Sequence, residues 1–321
     1  MFSELLLLVL FLALLSKSAS IVVENAEKLS VFFGISTLTI GMLLVAVSTS
    51  LPELAVSIAS SSAKESSIAA GNVFGSNITN ILLLLGIAAF LYGFQVPKEN
   101  MQDIALVLLT TTIISAYILL HSEISGTALG FIEGVILILV FLWYANRMLK
   151  QKKFTSHHTS GERMSRQEGL KAFIFFSVGI LGVLISSNLV VDSAVSLAEV
   201  ASLAKSFVGA TIIAVGTSLP EISIGLQAIK RKQYGLAIGD AIGANMSTMT
   251  LALGAASVVF PVTVQLSIFI VALIFAIVAN FIFLYFALSN RVFTRTRGLI
   301  MMVLYFLYLF TIFTLQLREV L

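Results

Sequence analysis

The chain has no cysteine among its 321 residues. That excludes disulfides, thiolate catalysis and cysteine-ligated zinc or iron–sulfur sites. Histidine is scarce. His157 and His158 share a hydrophilic stretch and His121 closes an apolar one, so each reads as a solvated or interfacial side chain. Charge is thin as well: Asp, Glu, Lys and Arg make up 11% of the residues, against about 25% in a soluble domain. The net charge of +3 calls for no nucleic-acid partner, because the basic residues cluster where membrane topology places them. No nucleotide-binding motif suggests a pump driven by ATP. The first twenty residues, MFSELLLLVLFLALLSKSAS, have the length of a secretory signal but lack a basic start and carry Glu4. They are expected to be a retained transmembrane helix.

What the chain does have is apolar surface: 58% of its residues are hydrophobic. Long apolar runs separated by short polar breaks predict an all-α integral membrane protein embedded in the lipid bilayer. The runs fall at 4–32, 35–62, 66–93, 102–121 and 126–148, then at 170–203, 206–229, 233–260, 264–289 and 297–317. Between the two sets lies the polar KQKKFTSHHTSGERMSRQEG (150–169), the one convincing linker. The expected organisation is therefore ten transmembrane helices, with a first five-helix unit over 1–149 and a second over 170–321. If the N-terminus is outside, fifteen Lys and Arg residues fall on the inner side and three (Lys64, Lys205, Arg318) on the outer, with Lys17 ambiguous. This bias predicts a multi-pass protein of the cell membrane with a cytoplasmic central loop.

Sliding the chain against itself by 168 residues superimposes Gly41 on Gly209, Pro52 on Pro220, Glu53 on Glu221, Gly71 on Gly239, Gly75 on Gly243, Asn77 on Asn245 and Gly86 on Gly254. No gap is needed over 46 positions, and 16 are identical. Glu24 falls on Asp192 at the same offset. Such self-similarity marks an internal duplication. Each half holds an odd number of spans, so the second must enter the membrane upside down. Inverted repeats with broken helices at the bilayer midplane are the usual plan of secondary transporters. A pseudo-two-fold axis in the membrane plane would bring Glu53 and Glu221 face to face.

The residue types favour a hard cation. A carboxylate at bilayer depth costs about 2.5–3.5 kcal/mol on insertion scales. Two together repel unless a cation or protons neutralise them. Pro52 and Pro220 lack an N–H, so the carbonyls of Ser48 and Gly216 lose their helical partners. Thr49, Ser50, Thr217 and Ser218 add hydroxyls beside them. Oxygen ligands without nitrogen or sulfur suit Ca²⁺ or Na⁺. In the second element, GNVFGSNITN (71–80) and GDAIGANMST (239–248), the G-x-x-x-G spacing permits close helix packing. Ser76 and Asn80, four apart, can face one site, whereas Asn77 and Asn245 lie on another face suited to holding backbone.

On these residues the chain resembles the cation/calcium exchanger superfamily, whose two repeats carry G-T-S-x-P-E followed by G-N-x-x-G-S-N. The resemblance extends over nearly the whole chain. The T-S-L-P-E form is similar to that of the sodium/calcium exchanger branch in its prokaryotic members. The G-N-x-x-E version typical of proton/calcium exchangers is absent. The resemblance implies that Glu53, Glu221, Thr49 and Thr217 coordinate calcium, and that the carbonyls of Ala46 and Ala214 contact sodium. It implies further that Ser50, Ser218, Ser76 and Asn80 line the site. The second repeat departs from the pattern: Ala244 stands opposite Ser76, Thr248 opposite Asn80 and Asp240 opposite Asn72. A hydroxyl is thus lost from one expected sodium site, and Thr248 is a weaker ligand than a carboxylate. Asp240 shares a helix face with Ala244 and Thr248 and can restore the missing charge, or can instead cap a helix break.

The expected function is a secondary antiporter exchanging calcium for sodium by alternating access, with no resident cofactor, no enzymatic activity, and an oligomeric state left open that includes the monomer. The long segments 4–32 and 170–203 are the candidate sliding elements. Proton/calcium antiport on the same architecture is the alternative. An intramembrane aspartyl protease, suggested by AIGD (237–240) and Asp192, leaves the duplicated motif unexplained, and a passive channel usually places its selectivity elements around a symmetric pore between subunits.

Overall fold

In the computed structural model the described residues are 2–64, 66–125, 129–150, 164–200, 216–262 and 266–320. They form α1 (Phe2–Phe33), α2 (Thr37–Thr49), α3 (Leu51–Ser62) and α4 (Ser66–Ile78, running on through Thr79–Leu84 into Leu85–Leu91). Then come β1 (Phe94–Gln95), α5 (Met101–Ser125), α6 (Phe131–Lys150) and α7 (Arg166–Val200). The chain ends with α8 (Leu219–Lys230), α9 (Tyr234–Ser247, running on through Thr248–Ala252 into Leu253–Val259), α10 (Leu266–Ser289), β2 (Val292–Phe293) and α11 (Arg295–Val320). Among the described residues eight helices are long and apolar enough to cross a membrane, and the bent pair α2–α3 makes a ninth span. The protein is a multi-pass, all-helical membrane protein. The expected count of ten is not reached by these residues, because the segment 206–229 is described only from residue 216 onward. Ala214 and Gly209 lie outside them.

Two boundaries differ from the hydropathy reading. The span expected from 126 starts as α6 at Phe131, because Leu129 instead pairs with Val262 in a β-bridge and the Glu133 carboxylate caps the Gly130 N–H at 3.0 Å. The helix expected from 170 starts earlier. Ser165 and Glu168 form a capping box, with Glu168 N–H to Ser165 Oγ at 3.2 Å and Ser165 N–H to Glu168 Oε2 at 2.8 Å, so α7 starts at Arg166 within the linker.

The duplication is visible in the backbone. α3 and α8 each have Pro in their first turn, and each follows a serine of near-identical conformation: Ser50 at φ −80°, ψ 4° and Ser218 at φ −92°, ψ 6°. Two residues past the end of each stands a lysine with positive φ, Lys64 at 64° and Lys232 at 62°. α4 and α9 each carry a π-helical turn at matching places, Thr79–Leu84 and Thr248–Ala252.

The halves interlock rather than stand side by side. α6 packs on α9, where Gly134 meets Gly254, and α11 packs on α4 through the equivalent pair Gly298 and Gly86. The cross-pairing repeats at the loops: Phe94 pairs with Phe293, and Val262 with Leu129. α2 lies so close on α9 that a Cβ at Gly41 would stand 2.5 Å from the Leu236 carbonyl oxygen, and one at Gly243 2.5 Å from Met42 Cα. α4 and α9 thus form the buried centre, with more than three quarters of each span's residues buried. α1 and α7 lie along each other more extensively than any other helix pair and complete one flank.

Candidate cation site

The break in each repeat sets its carboxylate. α2 and α3 meet at 45° across Ser50. Pro52 and Pro220, each in the first turn of its helix, need no intrahelical acceptor there. The helices restart in parallel fashion, Leu54 N–H to Ser50 O and Ile222 N–H to Ser218 O, both at 3.0 Å. Glu53 and Glu221 therefore occupy first-turn positions, where the positive end of the helix dipole favours an anion. Both are 1% exposed, and they lie within Coulombic reach of each other.

Around them the expected residues take several different positions. Thr49 is fully buried, and its hydroxyl lies 3.4 Å from Asp240 Oδ1 and 3.2 Å from the carbonyls of Val45 and Ala46. One proton serves one of these acceptors at a time, and Glu221 lies in the same neighbourhood. The Ala46 carbonyl also accepts the Ser50 N–H at 3.0 Å. Thr217 is half-buried. Ser76 turns its hydroxyl to Val73 O of its own helix, at 3.1 Å. Asp240 is fully buried in the middle of α9, not at a helix end, so it caps no break.

At the crossing of α4 and α9 the amides interlock. Asn80 Nδ2 donates to Asn245 Oδ1 at 3.1 Å, and Asn245 Nδ2 holds the backbone oxygen of Asn77 at 3.1 Å. Thr248 Oγ1 lies 2.7 Å from Asn77 Oδ1. Thr248 thus ties the two repeats together across this crossing, a role that its spacing in the sequence did not reveal. The bulged turns begin at these residues, where π-helical geometry is often found at functional sites.

Seven buried oxygens here have no hydrogen-bond partner among the described residues: Ser50 Oγ, both oxygens of Glu53, Asn80 Oδ1, Ser218 Oγ, Glu221 Oε2 and Asp240 Oδ2. Buried polar groups are ordinarily paired. No lysine, arginine or histidine is among the buried residues described. Nor do three acidic or imidazole side chains converge tightly enough to hold a metal by themselves among those residues. A cation between Glu53 and Glu221 would complete its shell with hydroxyl, amide and backbone oxygens. Such a donor set fits a hard ion that takes several oxygens, Ca²⁺ before a transition metal.

Fold and site together define a membrane-embedded, all-helical protein of duplicated design, the class to which secondary cation transporters belong. Comparison with known proteins narrows the class. The family described as "Sodium/calcium exchanger protein" matches residues 3–149 and 171–314. The inner membrane protein YrbG of Escherichia coli is 32% identical over 79% of this chain and 79% of its own length. The sodium/calcium exchanger MaX1 of Methanosarcina acetivorans is 27% identical over 96% of this chain and 98% of its own. Among solved structures, the sodium-calcium exchanger NCX_Mj soaked with 10 mM Na⁺ superposes with a TM-score of 0.82 at 26% identity, covering 95% of this chain and 97% of that one. The chain belongs to the sodium/calcium exchanger family, and it is a membrane transporter of that family rather than an enzyme.

Proposed function

We propose that the protein exchanges calcium for sodium across the cell membrane by alternating access, using ten spans arranged as two inverted five-helix repeats (1–149 and 170–321) joined by the cytoplasmic linker 150–169. The observation that carries this reading is the set of seven unpartnered buried oxygens among the described residues, five on equivalent helix breaks and two on α4 and α9 beside them, in a centre with no buried basic residue. Glu53 and Glu221 bind the ion. Thr49, Thr217, Ser50, Ser218, Ser76, Asn80, Thr248, Asp240 and the carbonyls of Ala46 and Ala214 complete the ligand set for calcium and for sodium in turn. Calcium and sodium compete for the same acids, and only a loaded site has its charge neutralised well enough to change the side it faces. That penalty on the empty state yields exchange rather than leak. α1 and α7 are the sliding elements. They contact each other along their length, and α1 also rests on α8, where Gln227 bonds Ser16 at 2.9 Å and Arg231 bonds Ser20 at 2.6 Å.

The inverted arrangement has support in one cavity of about 640 Å³, lined by residues that include Thr37, Lys98, Lys232 and Arg291. The Lys232 turn thus sits beside the start of α2, while its counterpart Lys64 sits past the far end of α2–α3. With that cavity, which carries three basic residues and two glutamates, turned inward, the N-terminus is outside.

The test is isotopic calcium flux in proteoliposomes with Na⁺, K⁺ and H⁺ gradients imposed one at a time. The expected result is uptake driven by an opposing Na⁺ gradient and lost in Glu53→Gln and in Glu221→Gln. Flux driven by a pH gradient alone would replace sodium with protons as the counter-ion. Flux that needs no counter-ion would make the protein a channel.

A further inference from the structure

Most buried hydroxyls in this fold obey one habit. Ser115 bonds Thr111 O at 2.8 Å, Ser186 bonds Gly182 O at 2.5 Å, Ser257 bonds Leu253 O at 2.8 Å, and Thr111 bonds Val107 O at 3.0 Å. A serine or threonine inside a membrane helix returns its proton to the carbonyl one turn back. Among the described residues five buried serines break the habit: Ser50, Ser57, Ser61, Ser218 and Ser247. Ser50 and Ser218 belong to the helix breaks. Ser57 and Ser61 stand outside the ligand set, and both are 0% exposed.

α3 inverts the expected order. Its more exposed hydroxyls are satisfied, Ser60 on Ser57 O at 3.2 Å and Ser62 on Ile58 O at 2.8 Å. Its two deeply buried ones are not. The carbonyl that Ser57 would ordinarily use, that of Glu53, receives Asn72 Nδ2 at 3.3 Å instead. Ser50, Glu53, Ser57 and Ser61 fall at i, i+3, i+7 and i+11, one face of a helix. Eleven residues at 1.5 Å each span about 16 Å, half of a hydrocarbon core roughly 30 Å thick. The file of five unpartnered oxygens therefore runs from the broken-helix centre to the helix end that Lys64 closes.

The duplicate lacks the file. Positions equivalent to Ser57 and Ser61 are Gly225 and Ile229. Leu84 fills the space above Gly225, with its Cδ1 2.8 Å from where a Cβ would stand, and Ile229 is 2% exposed. On α8 beyond Glu221 the two equivalent positions are thus a glycine covered by Leu84 and a buried isoleucine, where α3 beyond Glu53 carries hydroxyls.

The geometry points to Ser57 and Ser61 as the lining of a one-sided access route, along which the transported cation exchanges hydration water for hydroxyl oxygens between the Lys64 face and Glu53. In this conformation the file is covered. The inference rests on Glu53 as a cation ligand and adds the path by which the ion reaches it.

A chain without native cysteine makes the test direct. Ser57→Cys, Ser61→Cys, Ile229→Cys and Lys64→Cys are each reconstituted and treated with a small charged methanethiosulfonate that does not cross bilayers, with and without calcium. Reaction of Ser57→Cys and Ser61→Cys from the face that labels Lys64→Cys, slowed several-fold by calcium, is the expected result, with Ile229→Cys silent. Silence of both serine positions under every ionic condition, while Lys64→Cys reacts, would overturn the inference. So would equal reactivity of Ile229→Cys. The paired variant Ser57→Ala/Ser61→Ala should slow exchange several-fold without lowering the thermal midpoint, because neither hydroxyl removed has a hydrogen-bond partner among the described residues. A lowered midpoint at unchanged exchange rate would mark the hydroxyls as structural and end the proposal. Labelling reports water rather than flux. Reactive thiols in a protein that carries no calcium would leave the route standing and remove the ion assignment, whereas robust flux with silent thiols would remove the route alone.

Discussion

Asp240 sits in mid-helix, fully buried, with one oxygen near the Thr49 hydroxyl and the other unpartnered. A carboxylate in that position costs folding free energy and is retained only if something offsets it. The second repeat supplies no acid or hydroxyl at Ala244, and on the proposed function Asp240 is the acidic oxygen source that α9 offers the centre. Asp240→Asn keeps the shape and removes the charge. The apparent calcium affinity read from flux against calcium concentration should fall about tenfold, roughly 1.4 kcal/mol. Unchanged affinity and rate would leave Asp240 with no part in binding. At this scale the acids and the paired serines of the breaks were legible, because proline beside glutamate in an apolar run has few other uses. The partners of Ser57, Ser61, Asn77 and Thr248 were not. Whether a hydroxyl finds its own helix or a neighbour depends on which helix crosses there, and a single chain's spacing carries no record of that.

The helices repeat the lesson at the next scale. Apolar runs located nearly every span, and the offset of 168 residues foretold the matched breaks. The reading missed that each half's last helix lies on the other half's central one, because hydropathy marks a buried face without naming what covers it. The glycines carry that information only once paired: Gly41, Gly239 and Gly243 let α2 and α9 touch backbone to backbone. Gly243→Ala places a methyl against Met42 Cα, where no rotamer can relieve it. Overpacking of this kind costs about 1–3 kcal/mol. The midpoint of thermal unfolding in detergent should drop by several degrees, and because the same contact fixes α9 against the Thr49 break, calcium flux should fall with it. A midpoint equal to wild type would show that α2 and α9 separate more freely than this packing allows.

For the whole molecule, the decisive proposal is that two copies of one fold face opposite ways. Lys64 and Lys232 hold the same place in the repeat, follow the same helix and share a left-handed backbone conformation. If the repeats were parallel, both turns would lie on one side of the membrane. If they are inverted, the turns lie on opposite sides, and the excess of basic residues gathers with Lys232. Single-cysteine variants at these two positions separate the arrangements. In intact cells an impermeant thiol reagent should label Lys64→Cys and spare Lys232→Cys, and in inside-out vesicles the pattern should reverse. Labelling of both from one side would abolish the inverted plan. With it would go the pseudo-two-fold relation that sets Glu53 against Glu221, since a parallel duplication would send the two helix breaks the same way. The sidedness of two lysines thus tests the same geometry on which a shared ion between two acids depends.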